Sequence, residues 1–266
     1  MSTATVHPGH VCGNLAIHRL ILTAALAALL LCAASPILTS ASANPGPAYE
    51  ESVELPSVES ILKRYVEAVG GREAILGLET RTTSMHRVTD LHWDRHIYEV
   101  DTLTVYGASG GRFLIVTKSK DGTMLEGCDG GEEWKVDPSR TISFSLTQGP
   151  RDLWMTDPQF PLKLRQYFPD MEVLGVDTWG TDLGGSNRVY VVAVDEKESH
   201  RLGFDVETGL LVRLGYNIEV RDYREVDGVL MPMQVAYSRK GGSSTYYVDS
   251  VAHNEPLDST IFSLAK

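Results

Sequence analysis

The chain has 266 residues, with 35 acidic against 24 basic side chains and a net charge of −11 when histidine is neutral. That acidic balance argues against nucleic acid as a partner and against docking on anionic lipid headgroups by charge alone. With only three cysteines, the fold must stand on its apolar core, which a chain of this length can bury without covalent staples.

The first 43 residues hold no Asp or Glu, place His18-Arg19 ahead of the apolar run Leu20 to Ala34, and end in Ala41-Ser42-Ala43. A short apolar run closed by a small-residue cleavage pattern reads as a secretory signal peptide over residues 1–43. A membrane anchor would want about 20 uninterrupted apolar residues, and this run is shorter and is followed by Pro36. Acylation of Cys32 is the alternative, but Leu31 is bulky where lipoprotein signals place a small residue. Cleavage after Ala43 removes one basic residue, Arg19, and leaves 223 residues with 23 basic against 35 acidic side chains, a net −12. Cys12 and Cys32 leave with the leader, so Cys128 is expected alone, a small apolar core residue with no intramolecular disulfide. The mature protein is expected in the periplasm or secreted.

Residues 44–55, with Pro45 and Pro47 and little apolar periodicity, read as a flexible leader, and residues 56–266 as one domain. Pro56 and Ser57 open a helix in which Val58, Ile61, Leu62, Tyr65, Val66 and Val69 recur at helical spacing, and Gly70-Gly71 stops it. A short turn follows at Arg72 to Leu76. The pattern then becomes a string of strands: Thr82–Thr89, His92–Tyr106, Arg112–Ser119, Gly122–Cys128, Glu133–Val136 and Thr141–Leu146. Pro150 to Tyr167, with prolines at 150, 158 and 161, is expected to form short helical turns that cover a sheet or act as a mobile lid. Strands resume at Glu172–Thr178, Arg188–Asp195, His200–Asp205, Leu210–Ile218, Glu219–Val226, Val229–Ser238 and Ser244–Val251, with a last helical turn near Asp258–Phe262.

Two strand-turn-strand units are spelled out. Glu207-Thr208-Gly209 separates Leu202 and Phe204 from Leu210, Val212 and Leu214, and Asp227-Gly228 separates Val226 from Val229. So many antiparallel strands cannot stay flat, because twisted open sheets rarely exceed about ten strands. A sheet curled on one helix encloses an apolar interior.

The helix end Tyr65 to Ala74, the segment Gly127 to Trp134, and Phe204-Asp205 to Val212 followed by Asp222 to Pro232 resemble the exported LolA/LolB-like superfamily, and within it the outer-membrane lipoprotein-sorting-like proteins. The resemblance covers residues 56 to 264. It implies a mainly β fold, a half-open antiparallel β-barrel of about 10–12 strands wrapped on the N-terminal helix with a short helical cover. It also implies an apolar cavity for the acyl chains of lipids or lipoproteins. No Cys-x-x-Cys-His haem site is present, so the version fused to cytochromes does not apply.

Enzymatic motifs are missing. There is no Gly-x-Ser-x-Gly, no His-Glu-x-x-His and no phosphate-binding glycine loop, and Gly107 to Gly111 lacks the strand-to-helix context of a nucleotide site. His92, Asp94 and His96 alternate along a strand, with His86 and Asp90 nearby, but match no zinc spacing; they read as solvated strand residues. Asp129-Gly130-Gly131 with Glu132 and Glu133 reads as a turn and not as a calcium loop. Asp205 and Glu207 read as solvated turn carboxylates. No catalytic residue, metal or cofactor is therefore expected. The candidate ligand-binding residues are the aromatic and thioether side chains Trp93, Phe113, Met124, Trp134, Phe144, Trp154, Met155, Met231 and Met233, a set suited to an adaptable apolar pocket, although each also suits an ordinary core. The expected function is an exported, non-enzymatic carrier of lipid or lipoprotein acyl chains, monomeric, without nucleic acid. The alternatives are an envelope sensor or interaction domain with a membrane-protein partner and, third, a secreted metal-dependent hydrolase.

Overall fold

Helix α1 (Val58–Ala68) forms where the apolar spacing places it, and the Ser57 hydroxyl caps it by accepting from Ser60 N at 3.2 Å. It ends at Gly70 and Gly71, both at positive φ (124° and 86°). Gly70 also lies so near the Asp227-Gly228 turn that a Cβ there would stand 2.4 Å from the Gly228 carbonyl oxygen, and Leu230 N donates to Val69 O at 2.9 Å. The glycine pair therefore stops the helix and lets it abut the sheet. A short α2 (Arg72–Leu76) follows and buries Ile75.

The structure, a computed structural model, describes residues 54–91, 97–145, 150–180, 186–195, 201–215 and 217–264. The expected signal peptide, most of the leader and His92, Trp93, Asp94 and His96 lie outside these residues, and Phe144 is described in its backbone alone. The strands are β1 (Thr80–Leu91), β2 (Ile97–Ala108), β3 (Arg112–Ser119), β4 (Gly122–Asp129), β5 (Glu133–Val136) and β6 (Ile142–Ser145), then, after helices α3 (Pro150–Thr156) and α4 (Phe160–Tyr167), β7 (Glu172–Gly180), β8 (Ser186–Ala193), β9 (Arg201–Asp205), β10 (Leu211–Leu214), β11 (Ile218–Val226), β12 (Val229–Arg239) and β13 (Gly242–His253). A 3-10 turn at Ser259–Phe262 closes the described chain, capped by Asp258.

All thirteen strands form one antiparallel sheet in the order β6-β5-β4-β3-β2-β1-β13-β12-β11-β10-β9-β8-β7. Hairpins build each half, and the first strand pairs with the last at the centre, Arg81 opposite His253. Among the described residues β6 and β7 are the edge strands and do not pair with each other, so the barrel stays half open. The Asp227-Gly228 turn has φ of 52° and 79°, the two positive values of a two-residue hairpin turn, and Val226 pairs with Val229 across it. At the other signalled turn Gly209 has φ 76°, and Asp205, 6% exposed, accepts from Glu207 N and Thr208 N at 3.0 and 2.7 Å. Asp205 is thus a buried organiser of its turn and not a solvated carboxylate. The structure also differs from the sequence expectation at Leu210–Ile218: the chain reverses after Gly215 (φ 69°), and Leu214 pairs with Ile218.

One half of the sheet is filled from within. Val192, Leu202, Phe204, Leu211 and Leu214 meet Val58, Ile61 and Tyr65 of α1 in a continuous core, with the Tyr65 and Phe204 rings edge to face at 5.5 Å. Each such side chain contributes about 1.5–3 kcal/mol on burial. Helix α4 packs beside α1, and α3 runs onto β2 and β3. There Gly107 makes the approach possible, since a Cβ would lie 2.2 Å from the Thr156 carbonyl oxygen.

Candidate functional site

The other half is not filled. Strands β1 to β5 with the near ends of β11, β12 and β13 enclose a cavity of about 620 Å³, within the usual range of about 300–1,000 Å³ for small-ligand sites. Side-chain alternation decides what faces it. Leu103, Phe113, Ile115 and Met124 form an apolar floor over β2 to β4, Trp154 and Met155 come from α3, and Ile218 and Val235 come from the far side. Two polar clusters flank this floor. On β1, β2 and β13, Arg87 Nε donates to Asp101 Oδ2 at 3.1 Å and a second guanidinium nitrogen meets the same oxygen; Arg87 also lies 5.8 Å from the Tyr246 ring centroid, and Thr89 shares a hydroxyl contact of 3.0 Å with Ser244. On β4 and β5, Lys135 Nζ bonds Glu126 Oε1 at 2.9 Å beside Glu133. Burial alone would lower the Arg87 guanidinium, but its bonds to Tyr246 and Asp101 hold its pKa above the ordinary value.

The boundary between the filled and open halves is Arg81, 3% exposed at the centre of the sheet. Its guanidinium donates to the carbonyls of Trp154 (2.6 Å), Met155 (2.8 Å) and Asp157 (3.4 Å) and to Met231 Sδ (3.5 Å). The Trp154 and Met155 carbonyls lie in the last turn of α3, where a buried cation completes the helix end, while the Asp157 carbonyl also accepts from Phe160 N at 3.1 Å. Burial lowers the Arg81 pKa to about 10, which leaves it charged at neutral pH. Asp157 is buried in turn and accepts from Lys163 Nζ (2.9 Å), Gln159 N (2.9 Å) and the Tyr167 hydroxyl. Gln159 Nε2 reaches back to the Leu76 and Leu78 carbonyls, both at 3.2 Å. The segment read from sequence as short helical turns covering a sheet, or else a mobile lid, forms the two short helices α3 and α4 over the sheet, seated like a wedge by buried apolar side chains and a charged network.

Of the sequence-derived candidates, Phe113, Met124, Trp154 and Met155 come together on the cavity wall. Trp134 borders the cavity, yet its ring belongs to the opposite face. Glu133 and Lys135 point inward, so Trp134 between them points out; its indole lies over Gly127, where a Cβ would stand 2.4 Å from the ring, and its Nε1 donates to Phe262 O at 3.0 Å. Met231 lines a separate gap of about 30 Å³ with Tyr65, Arg81 and Trp154, and Met233 lines neither space. Trp93 lies outside the described residues, and Phe144 is placed only by its backbone pairing with Trp134. Sequence reasoning missed the polar flanks. Their signal was present as alternate positions, 87 and 89 on β1 and 99 and 101 on β2.

The remaining candidates have structural partners. His86 stacks on Tyr247 at 5.1 Å and meets Asp249 Oδ1 at 2.9 Å. Asp129 Oδ1 accepts from Gly131 N at 3.1 Å across a turn with Gly130 at φ 99°. Among the described residues no group of three or more His, Cys, Asp and Glu could hold a metal ion. Cys128 is fully buried on β4, as a small core residue would be. No helix among those residues is long and apolar enough to cross a membrane.

No protein-family model matches the sequence, and no curated protein matches it. Solved structures do. A LolA superfamily protein of Nitrosomonas europaea superposes with a TM-score of 0.53 at 12% identity, covering 79% of this chain and 99% of its own. A DUF1329 family protein of Desulfovibrio piger gives 0.51 at 10%, covering 77% and 97%. A domain proposed to sort outer membrane lipoproteins, from Vibrio parahaemolyticus, gives 0.50 at 11%, covering 77% and 96%. At such identity the likeness is one of architecture, and the chain has the half-open β-barrel fold of the LolA superfamily.

Proposed function

We infer that the protein is an exported, non-enzymatic binding or carrier protein that takes the apolar chain of a lipid or acylated molecule into the cavity between β1–β5 and α3. The observation that carries this reading is the cavity of about 620 Å³ over Leu103, Phe113, Ile115 and Met124, in a fold whose other half leaves a gap of only about 30 Å³. The fold likeness to a domain proposed for lipoprotein sorting supports it. Each methylene taken from water is worth about 0.8 kcal/mol, so a long chain binds well and can still leave for a better acceptor. Residues 1–43 act as the export signal and 44–55 as leader in this reading. The test is native mass spectrometry and solvent extraction of protein purified from its envelope fraction, with uptake of a fluorescent fatty acid: bound lipid and saturable uptake are expected, and consistent failure of both rejects the carrier.

An interaction role has one observation of its own. On the face opposite the cavity, Tyr98, Val100 and Tyr247 are 65, 60 and 38% exposed, and register places them around Val88 and His86 on β1. An envelope protein that docks there is expected to crosslink to a photoreactive residue at position 100; no crosslinked partner in intact cells rejects this second reading.

A further inference from the structure

The cavity has a direction. Arg81 on β1 pairs with Gly107 on β2, and both meet α3 at that level: Arg81 donates to the Trp154 carbonyl at 2.6 Å, and a Cβ on Gly107 would stand 2.2 Å from the Thr156 carbonyl oxygen. Away from α3 the inward-facing pairs of β1 and β2 run Met85 with Leu103, Arg87 with Asp101 and Thr89 with Glu99, and Leu91 ends β1. These two strands are therefore apolar next to α3 and turn polar away from it. An amphiphile gains most with its tail tip against α3 and its head among the polar levels, where hydroxyls and charged groups stand in for lost water. The separate gap of about 30 Å³, room for about one water molecule, is lined by Tyr65, Phe160, Leu214 and Met231 among others. Trp154, 7% exposed, is the only one of the described residues that lines both spaces.

Resting on the carrier reading above, we propose that Trp154 sets the longest chain the cavity accepts: the tail tip of a bound amphiphile abuts Trp154, and methylenes beyond that length stay in water. Trp154 suits this task because it is fixed in place. Its carbonyl is held by Arg81, and its neighbours Leu153 and Met155 are buried. That hold runs through the backbone, so a smaller side chain at position 154 leaves α3 tethered. It also joins the cavity to the small gap, because the surroundings of a deleted buried ring relax only in part. The floor of Leu103, Ile115 and Met124 supplies affinity for each methylene, and Trp154 decides where the gain stops.

The test is displacement of the apolar fluorophore N-phenylnaphthylamine from the intact protein by octanol, decanol, dodecanol, tetradecanol and hexadecanol, whose shared neutral head leaves chain length as the only variable. The half-displacing concentration is expected to fall about fourfold for each added methylene and then to level off. Trp154→Ala is expected to carry the fall on to at least the next alkanol of the series. Met124→Ala, which trims the floor, should weaken every member by a similar factor and leave the levelling-off where it was. Trp154→Leu is the second variant should Trp154→Ala fail to fold, with a shift in the same direction. If the folded variant levels off at the original length, or the unaltered protein shows no levelling-off, the limit set by Trp154 is overturned while the carrier reading stands. If the fluorophore does not bind, or no alkanol displaces it, the carrier reading itself falls.

Discussion

The filled and the open halves of the sheet are made from the same materials and end differently. From β7 to β12 the concave face meets α1, and Tyr65, Phe204, Leu202 and Leu211 close on one another, leaving a gap of only about 30 Å³. From β1 to β5, among the described residues, only α3 reaches the concave face, at β2 and β3, and charged side chains alternate with apolar ones around a cavity of about 620 Å³. A single helix of 11 residues can cover only half of a 13-stranded sheet. The uncovered half is where the fold leaves a cavity, and on the carrier reading proposed above stability and ligand capacity are set by different strands. Mutations should separate them.

The largest effect is expected in the filled half. Phe204→Ala removes a ring that is 1% exposed, and chemical denaturation should show a loss of about 3–5 kcal/mol with no change in the affinity of the surviving fold for an apolar probe. A Phe204→Ala protein that unfolds normally but cannot bind would mean that the two halves are coupled.

Next comes the residue between them. Arg81→Met keeps the bulk of the side chain but removes the donor from the Trp154 and Met155 carbonyls at the end of α3, at a cost of about 3 kcal/mol. Hydrogen exchange should locate that cost, with the amides of α3 losing protection while those of α1 keep it. Equal loss in both helices would show the wedge and the core to be one cooperative unit.

The centre of the sheet also predicts a pH response. The His253 ring, with 2% of its side chain exposed, is held below its ordinary pKa of 6.5, first by burial and also by the nearby Arg81 charge, against the opposing pull of Asp227 at 3.1 Å. In the folded state it therefore binds its proton less readily than when unfolded. Its contribution to stability is complete above the ordinary value and is lost as pH falls below 6.5 towards the folded-state pKa. The stability difference between the protein and His253→Gln should accordingly change as pH falls below 6.5 and stay flat above it. A difference that is constant across that range would show that the buried ring does not titrate differently on unfolding.

How much of this was legible in the sequence depends on which physical signal each feature carries. Helix α1 was legible because its cap, its period and its glycine stop agree, and the Asp227-Gly228 hairpin because only such residues accept two positive φ values. The reversal at residues 215–217 was not, because Leu214 and Ile218 continue the apolar content of the flanking strands and Gly215 alone does not announce a turn. The site was half legible. Composition selected Phe113, Met124, Trp154 and Met155, but composition ignores parity, and parity sends Trp134 to the far face over Gly127. The charged flanks were invisible for the opposite reason. Arg87, Asp101, Glu126 and Lys135 look like ordinary solvent-facing strand residues until pairing brings them to one concave surface.

The finest test of that surface uses two residues that the sequence cannot tell apart. Trp134 and Met124 are both large, both on neighbouring strands and both at the edge of the cavity, but only Met124 faces into it. Trp134→Phe removes the indole hydrogen bond to Phe262 O and should cost about 1 kcal/mol in denaturant unfolding while probe affinity stays the same. Met124→Ala, at a half-exposed position, should change stability by less than about 1 kcal/mol and yet weaken the probe severalfold, because it deletes part of the floor. Opposite outcomes, with Trp134 governing uptake and Met124 governing stability, would require the strand to present the other face and would move the site to the convex side of the sheet.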